Sequence, residues 1–301
     1  MIKFFEGSTM EKFRFLDAQR KRETVDIMGL PVNNLTLESA VATIEDWSAR
    51  KRQDPALPGR RIVTANPEYV MTARRDPELM RLIQEADMVT PDGVGLTVAA
   101  KLFGTPLQGR VTGVELSLAL ARRSARTGLR LFLLGAAPGI AEAAAANLRQ
   151  QFPGICIAGI FSGDASPAGD AETLRRVRDS HADVVLVAYG MGKQDRWAVR
   201  NLDLSGAAVS IGVGGTFDYL SGQVPMAPYL VRRLGMEWLF RLITQPWRWK
   251  RDIAMLRFGT RAVLLSFVKP FTRKKQPAVV PPTEFEGVQS LPGGDNRKQL
   301  A

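Results

Sequence analysis

The chain holds one cysteine, Cys156, and one histidine, His181, in 301 residues. A lone cysteine excludes an intramolecular disulfide, and with it the stapled secreted scaffolds that rely on one. One histidine beside one cysteine gives little from which to build a zinc site or a Ser-His-Asp nucleophile. No Asp-x-Asp pair occurs, so a divalent ion held on a diphosphate by that arrangement is not expected. Long apolar runs are missing too. The best candidate near the C-terminus, residues 253–268, is too short to span a bilayer and is broken by Arg257 and Arg261. Met1-Ile2-Lys3-Phe4-Phe5 turns charged at once, and no signal peptide is read there. No internal repeat is apparent. The apolar neighbours of Cys156 suggest a buried strand, and a reducing, cytoplasmic setting follows.

Acids are scarce in one place. Between residues 225 and 275 only Glu237 and Asp252 accompany twelve Lys and Arg, a net +10 of the chain's formal +11. The same stretch is rich in Trp238, Phe240, Trp247, Trp249, Met255, Phe258 and Phe267. Cations beside tryptophans and aliphatic residues suit a surface that meets anionic headgroups while wetting an apolar layer. A nucleic-acid groove has less need of so many aliphatic side chains, so no nucleic-acid partner is expected. The plainer alternative is a core-packing helix pair with solvated arginines on its outer face.

Residues 1–24 mix charge signs without a steady apolar period and read as a loosely ordered leader. Residues 274–301 are Pro/Gly-rich and polar, and read as a disordered tail. Between them lie an α/β domain over 25–224 and a basic appendage over 225–273. Apolar runs predict strands at 61–64, 88–90, 130–134, 155–161, 184–188 and 208–213. Amphipathic stretches predict helices at 37–51, 68–74, 77–85, 93–103, 113–127, 140–151, 171–180 and 194–202. This alternation argues for a Rossmann-like parallel-sheet sandwich with a basic, amphipathic helical C-terminal appendage.

In such sheets the ligand sits beyond the carboxyl ends of the strands. Five strand exits have unusual composition. Thr64-Ala65-Asn66-Pro67-Glu68 offers Asn66 as a helix cap and Pro67 for the first turn. Thr90-Pro91-Asp92-Gly93 places a carboxylate at the mouth of the sheet, although Asp92 is also an ordinary turn residue. The loop from Gly135 to Gly139 lets backbone approach a ligand before a helix N-terminus that suits phosphate. The others are Gly190-Met191-Gly192-Lys193-Gln194-Asp195 and Gly212-Val213-Gly214-Gly215-Thr216-Phe217-Asp218. Gly190-x-Gly192 lacks the third glycine of a dinucleotide fingerprint, which weighs against a nicotinamide enzyme. Together the five outline a pocket for a phosphorylated, polar ligand whose charge falls to helix N-termini, Lys193 or arginines.

Thr64-Ala65-Asn66-Pro67-Glu68, Pro91-Asp92-Gly93-Val94-Gly95, Val111-Thr112-Gly113, Gly190-x-Gly192-Lys193-Gln194-Asp195, the Gly212–Asp218 run and Gly235-Met236-Glu237-Trp238-Leu239-Phe240-Arg241-Leu242 occur in a telling order. In that order, over about residues 25–260, the chain resembles the WecG/TagA/CpsF glycosyltransferases, family 26. The resemblance implies a metal-independent, cofactor-free, inverting transfer of a sugar from a UDP-sugar donor to a polyprenyl-diphosphate-linked saccharide. It also implies a peripheral position on the anionic inner face of the bacterial cell membrane, in teichoic acid, common-antigen, capsule or exopolysaccharide assembly. Carried over, Asp92 resembles the family's general base, with Thr64 and Gln194 as further catalytic residues lining the same pocket. Asn66, Gly135, Gly190, Lys193, Gly214, Gly215 and Asp218 are the expected substrate-binding residues beside them. Arg241, Arg248 and Arg251 match arginines of the family's appendage that reach the diphosphate. The family often has Ala-Pro-Lys-Gln-Glu at 191–195, an Asp at Glu115 and an Arg at Met226. N-acetylmannosamine, glucose and glucuronate are all compatible donor sugars. A non-catalytic, membrane-docking nucleotide-sugar-binding protein is the rival reading, and a homo-oligomer is compatible with either.

Overall fold

The computed structural model describes residues 24–228, 231, 237–244 and 249–268, with side chains left aside at 237, 238, 241 and 249–252. The expected tail and all of the expected leader except Thr24 lie outside the described residues. The described chain opens with a hairpin, β1 (Thr24–Ile27) and β2 (Leu30–Asn33), paired antiparallel. Its two-residue turn puts both Met28 (φ 56°) and Gly29 (φ 97°) in the left-handed region. That twist suits a tight hairpin, and Gly29 adopts it without steric penalty.

Alternating elements follow: α1 (Leu37–Gln53), β3 (Arg60–Ala65), α2 (Pro67–Ala73), α3 (Pro77–Gln84), β4 (Met88–Pro91), α4 (Val94–Leu102) and α5 (Gly113–Thr127). Then come β5 (Leu131–Gly135), α6 (Ile140–Gln151), β6 (Ile157–Phe161), α7 (Asp170–Asp179), β7 (Val184–Ala188), α8 (Lys193–Ser205), β8 (Val209–Gly212) and α9 (Thr216–Leu220). The six strands predicted for the domain form one sheet in the order β4-β3-β8-β7-β5-β6, and every pairing is parallel. Side chains alternate across it with the period of two that a pleat imposes. Leu131, Leu133, Val184, Leu186, Val209 and Ile211 pack with α1, α5, α6 and α9. Phe132, Leu134, Val185 and Val187 turn the other way, onto Val177 of α7 and Trp197 of α8. The result is a helix–sheet–helix sandwich, as the alternation predicts.

Cys156 departs from its expectation. It precedes β6 and is half-buried, because β6 is an edge strand whose five residues are all only partly covered. The opposite edge, β4, is closed by the hairpin: Asn33 Oδ1 accepts the Val89 amide at 2.7 Å. At the amino ends of the strands, buried Asp183 accepts hydrogen bonds from Arg52 Nε (2.7 Å), Arg130 Nη2 (2.8 Å) and the Arg130 amide (2.7 Å). This cluster ties α1 to β5 and β7 at the end away from the strand-exit loops.

Two appendage helices are described, α10 (Glu237–Thr244) and α11 (Trp249–Val268). The stretch 253–268, too short to span a bilayer, falls within α11. α11 packs on α2 and α4, burying Phe258 and Ala262 in the core, with Ala254 and Leu265 beside them. Those four residues recur at helical spacing, and Leu256, Val263, Leu264 and Phe267 lie on the opposite side. That side is open: Leu264 is 66% and Phe267 75% exposed. α11 thus has one apolar side for the core and another for something outside it.

Candidate active site

A cleft of about 390 Å³ opens at the carboxyl ends of the strands. Thr64, Asn66, Asp92, Gly190, Gln194, Gly214, Gly215 and Asp218 line it, all of them expected site residues. They come from the exits of β3, β4, β7 and β8, and Ala136 and Ala137 add the exit of β5. Strand order explains the convergence: β3 and β8 are neighbours inside the sheet although about 150 residues separate them in sequence.

Asp92 is half-buried. Its amide donates to the Ala65 carbonyl at 2.7 Å, which fixes the loop against the end of β3. Gly93 follows with φ 110°, a turn a side-chain-bearing residue adopts poorly. Asn66 caps α2 through Oδ1, accepting the Tyr69 amide at 3.0 Å. The Thr64 hydroxyl donates to the Gly212 carbonyl at 2.7 Å and so pins the β8 exit. Gln194, 1% exposed, accepts the Gly214 amide at Oε1 (3.1 Å) and donates from Nε2 to Tyr69 Oη (2.8 Å). Tyr69 Oη donates in turn to Asp195 Oδ2 at 2.8 Å.

Electrostatics inside this group are governed by burial. Burial first, then the Asp195 charge, holds the Tyr69 phenol well above the usual tyrosine range, and the charge of Asp92 adds to it. Burial likewise pushes the Asp195 carboxyl up, against the Tyr69 hydroxyl and the Gly192 amide that favour its ionised form. On the opposite wall Arg110 Nη2 meets Glu115 Oε1 at 3.2 Å. Glu115 Oε2 accepts the Thr112 hydroxyl at 2.9 Å while Thr112 caps α5. Glu115 is therefore held in a capping box, one bond from the guanidinium at the cleft wall.

Not every expected residue reaches the cleft. Gly135 does not line it; a Cβ there would sit 2.8 Å from the Ala188 carbonyl carbon, so this glycine serves strand packing. Lys193 is exposed outside the cleft lining and acts electrostatically on Asp164 in the loop after β6. Arg241 belongs to α10 and Arg251 to α11, their side chains outside the description, and Arg248 lies outside the described residues. Phe240 of α10 does line the cleft, as do Pro225, Met226 and Ala227, so the appendage forms part of its wall. Tyr69, Arg110 and Tyr219 line it and were missed as site residues. Each borders a recognised motif, which is the one signal that would have found them. Among the described residues no three His, Cys, Asp or Glu side chains gather into a group able to hold a metal ion.

Comparison with known proteins agrees with this architecture. A transferase of Bacillus spizizenii, named N-acetylglucosaminyldiphosphoundecaprenol N-acetyl-beta-D-mannosaminyltransferase, is 35% identical over 202 residues, covering 67% of this chain and 78% of its own. Proteins of the same name from Bacillus subtilis (79% of this chain, 90% of theirs) and Staphylococcus aureus (75% and 86%) are each 30% identical. Residues 25–273, a span that takes in the sheet, the cleft loops and both described appendage helices, match one family throughout, and the chain belongs to the Glycosyl transferase WecG/TagA/CpsF family.

Proposed function

We propose that this glycosyltransferase moves a sugar of the N-acetylmannosamine type from a UDP-linked donor to a saccharide carried on a polyprenyl diphosphate. The observation that carries the reading is Asp92, a half-buried carboxylate in a cleft bounded by five strand exits and by the appendage. The names of the relatives favour the donor sugar and the lipid-linked acceptor. In the proposed step the acceptor hydroxyl oxygen attacks the anomeric carbon while the Asp92 carboxylate takes its proton. The bond from that carbon to the diphosphate oxygen breaks, and UDP leaves with the electron pair. Attack opposite the leaving group inverts the configuration. Developing charge on the diphosphate needs cations and oriented N–H groups in place of an ion. Arg110 lines the cleft, and Arg241 follows the lining residue Phe240 in sequence.

The open side of α11 and the surrounding positive charge support docking on an anionic membrane, where a polyprenyl acceptor resides. No described helix is long and apolar enough to cross a membrane. The test is transfer by the purified full chain from a panel of UDP-sugars to a synthetic polyprenyl-diphosphate N-acetylglucosamine. Selective transfer of N-acetylmannosamine with inversion supports the reading. Binding of nucleotide sugar with no transfer to any acceptor would return the chain to the class of binding proteins.

A further inference from the structure

Along the wall of the cleft runs a buried hydrogen-bond chain that no step of the proposed reaction uses. The Gly214 amide donates to Gln194 Oε1, Gln194 Nε2 donates to Tyr69 Oη, and Tyr69 Oη donates to Asp195 Oδ2, at 3.1, 2.8 and 2.8 Å. The Gly192 amide closes on the same Asp195 oxygen at 2.8 Å. Gln194 is 1% and Asp195 5% exposed, and Tyr69 is buried with them. Three strand exits are thereby joined, those of β3, β7 and β8.

The direction of every link follows from its two ends. A carboxylate only accepts, so Tyr69 must give its proton to Asp195. The phenolic oxygen is then left to accept, which turns the Gln194 amide nitrogen toward it. The amide oxygen must consequently face Gly214, whose backbone N–H only donates. A carboxylate at one end thus sets the orientation of a loop amide at the other.

That loop is tightly bound to the chain. A Cβ at Gly212 would stand 2.5 Å from Gln194 Nε2, so only glycine lets the amide lie against the β8 exit. Thr64 holds the Gly212 carbonyl from the adjacent strand. Gly214 sits at φ 54°, and Gly214, Gly215 and Thr216 then line the cleft.

We infer that Asp195 and Tyr69 are positioning residues which, acting through Gln194, hold the Gly212–Gly215 loop in the shape that receives the donor's diphosphate. The inference rests on the UDP-sugar reading above. Asp195 lies outside the cleft lining, and the Tyr69 hydroxyl is engaged by Gln194 and Asp195, so the pair serves donor binding more than the chemical step.

Tyr69→Phe tests this in the full chain, because it deletes one oxygen and keeps the ring. Its KM for the UDP-sugar and its Kd for UDP are expected to rise at least tenfold, with kcat changed less than threefold. Hydrogen exchange at the Gly214 amide should accelerate at least tenfold while the protein still unfolds cooperatively. If Tyr69→Phe fails to fold, Gln194→Met, which removes both amide links at similar volume, is read by its Kd for UDP and by exchange at Gly214 alone. A variant that binds UDP and protects Gly214 as the wild type does would overturn the inference, and so would a loss confined to kcat. Failure of the wild-type chain to bind any UDP-sugar is a different result. It sinks the parent reading, while exchange at Gly214, which needs no substrate, still reports on the hydrogen-bond chain.

Discussion

Asp92→Asn keeps the shape of the β4 exit and removes only its ability to take a proton. Turnover is expected to fall by about 10²–10⁴-fold, with UDP affinity near the wild-type value by calorimetry. Near-normal turnover would remove Asp92 from the mechanism. Asp183, at the other end of the sheet, provides the contrasting case. Burial pushes its carboxyl up, but hydrogen bonds from Arg52, Arg130 and the Arg130 amide outweigh burial, so its pKa is lowered. A depressed aspartate contributes stability above its unfolded pKa of about 3.9, and that contribution is lost as pH falls through the folded value. Asp183→Asn should therefore destabilise the neutral protein by about 3 kcal/mol, the low end for breaking a buried pair, since both arginines can turn to water. Its thermal midpoint should also depend less steeply on acid than the wild type's, with kcat unaffected. Of these residues the sequence displays Asp92 openly, at a strand exit among turn residues. Tyr69 is hidden, because its partner Asp195 is 126 residues away and a lone aromatic in an apolar helix looks like packing.

α11 carries two opposed apolar sides, and substitutions should sort accordingly. Phe258→Ala opens a cavity against α2 and α4 and is expected to cost about 3–5 kcal/mol of stability. The pair Leu264→Glu and Phe267→Glu should leave the melting midpoint nearly unchanged while reducing co-sedimentation with anionic vesicles at least tenfold. Equal vesicle binding by that double variant would mean the open side serves a protein neighbour instead. The sequence reading recognised the helix and its cations but not its division of labour, since an apolar periodicity does not say which stripe meets the core. All six parallel strands were legible as short apolar runs closed by Gly or Pro, the partly covered edge strand β6 among them. The β1–β2 hairpin was not. Its turn is Met28-Gly29 in place of the Asn-Gly that usually betrays one, and it abuts the unpatterned N-terminal residues. α9 was absorbed into a glycine-rich loop, being a helix of only five residues.

For the molecule as a whole, catalysis is expected to survive EDTA at full rate. Loss on chelation, restored by Mg²⁺ or Mn²⁺, would show that an ion and not side-chain cations neutralises the diphosphate. Vesicle binding should weaken steeply between 50 and about 500 mM salt, as the Debye length contracts toward the size of a single charge contact. The order of the strands was not readable in the chain, since it depends on which apolar runs meet across long separations. Only that order brings the β3 and β8 exits together, and the composition of the cleft is its result. Among the described lining residues, Glu68, Asp92, Glu115 and Asp218 stand with a single guanidinium, Arg110. The described lining of the cleft thus carries more carboxylates than cations. The appendage that supplies Phe240 to the cleft wall is also the arginine-rich segment proposed to meet lipid. On the proposed reading, in which arginines of that segment serve the donor diphosphate, donor capture is expected to depend on location. Enzyme adrift in the aqueous phase would leave activated sugar intact, and slow UDP-sugar hydrolysis without vesicles is the corresponding observable. In that proposal the acidic lining is a safeguard against futile turnover.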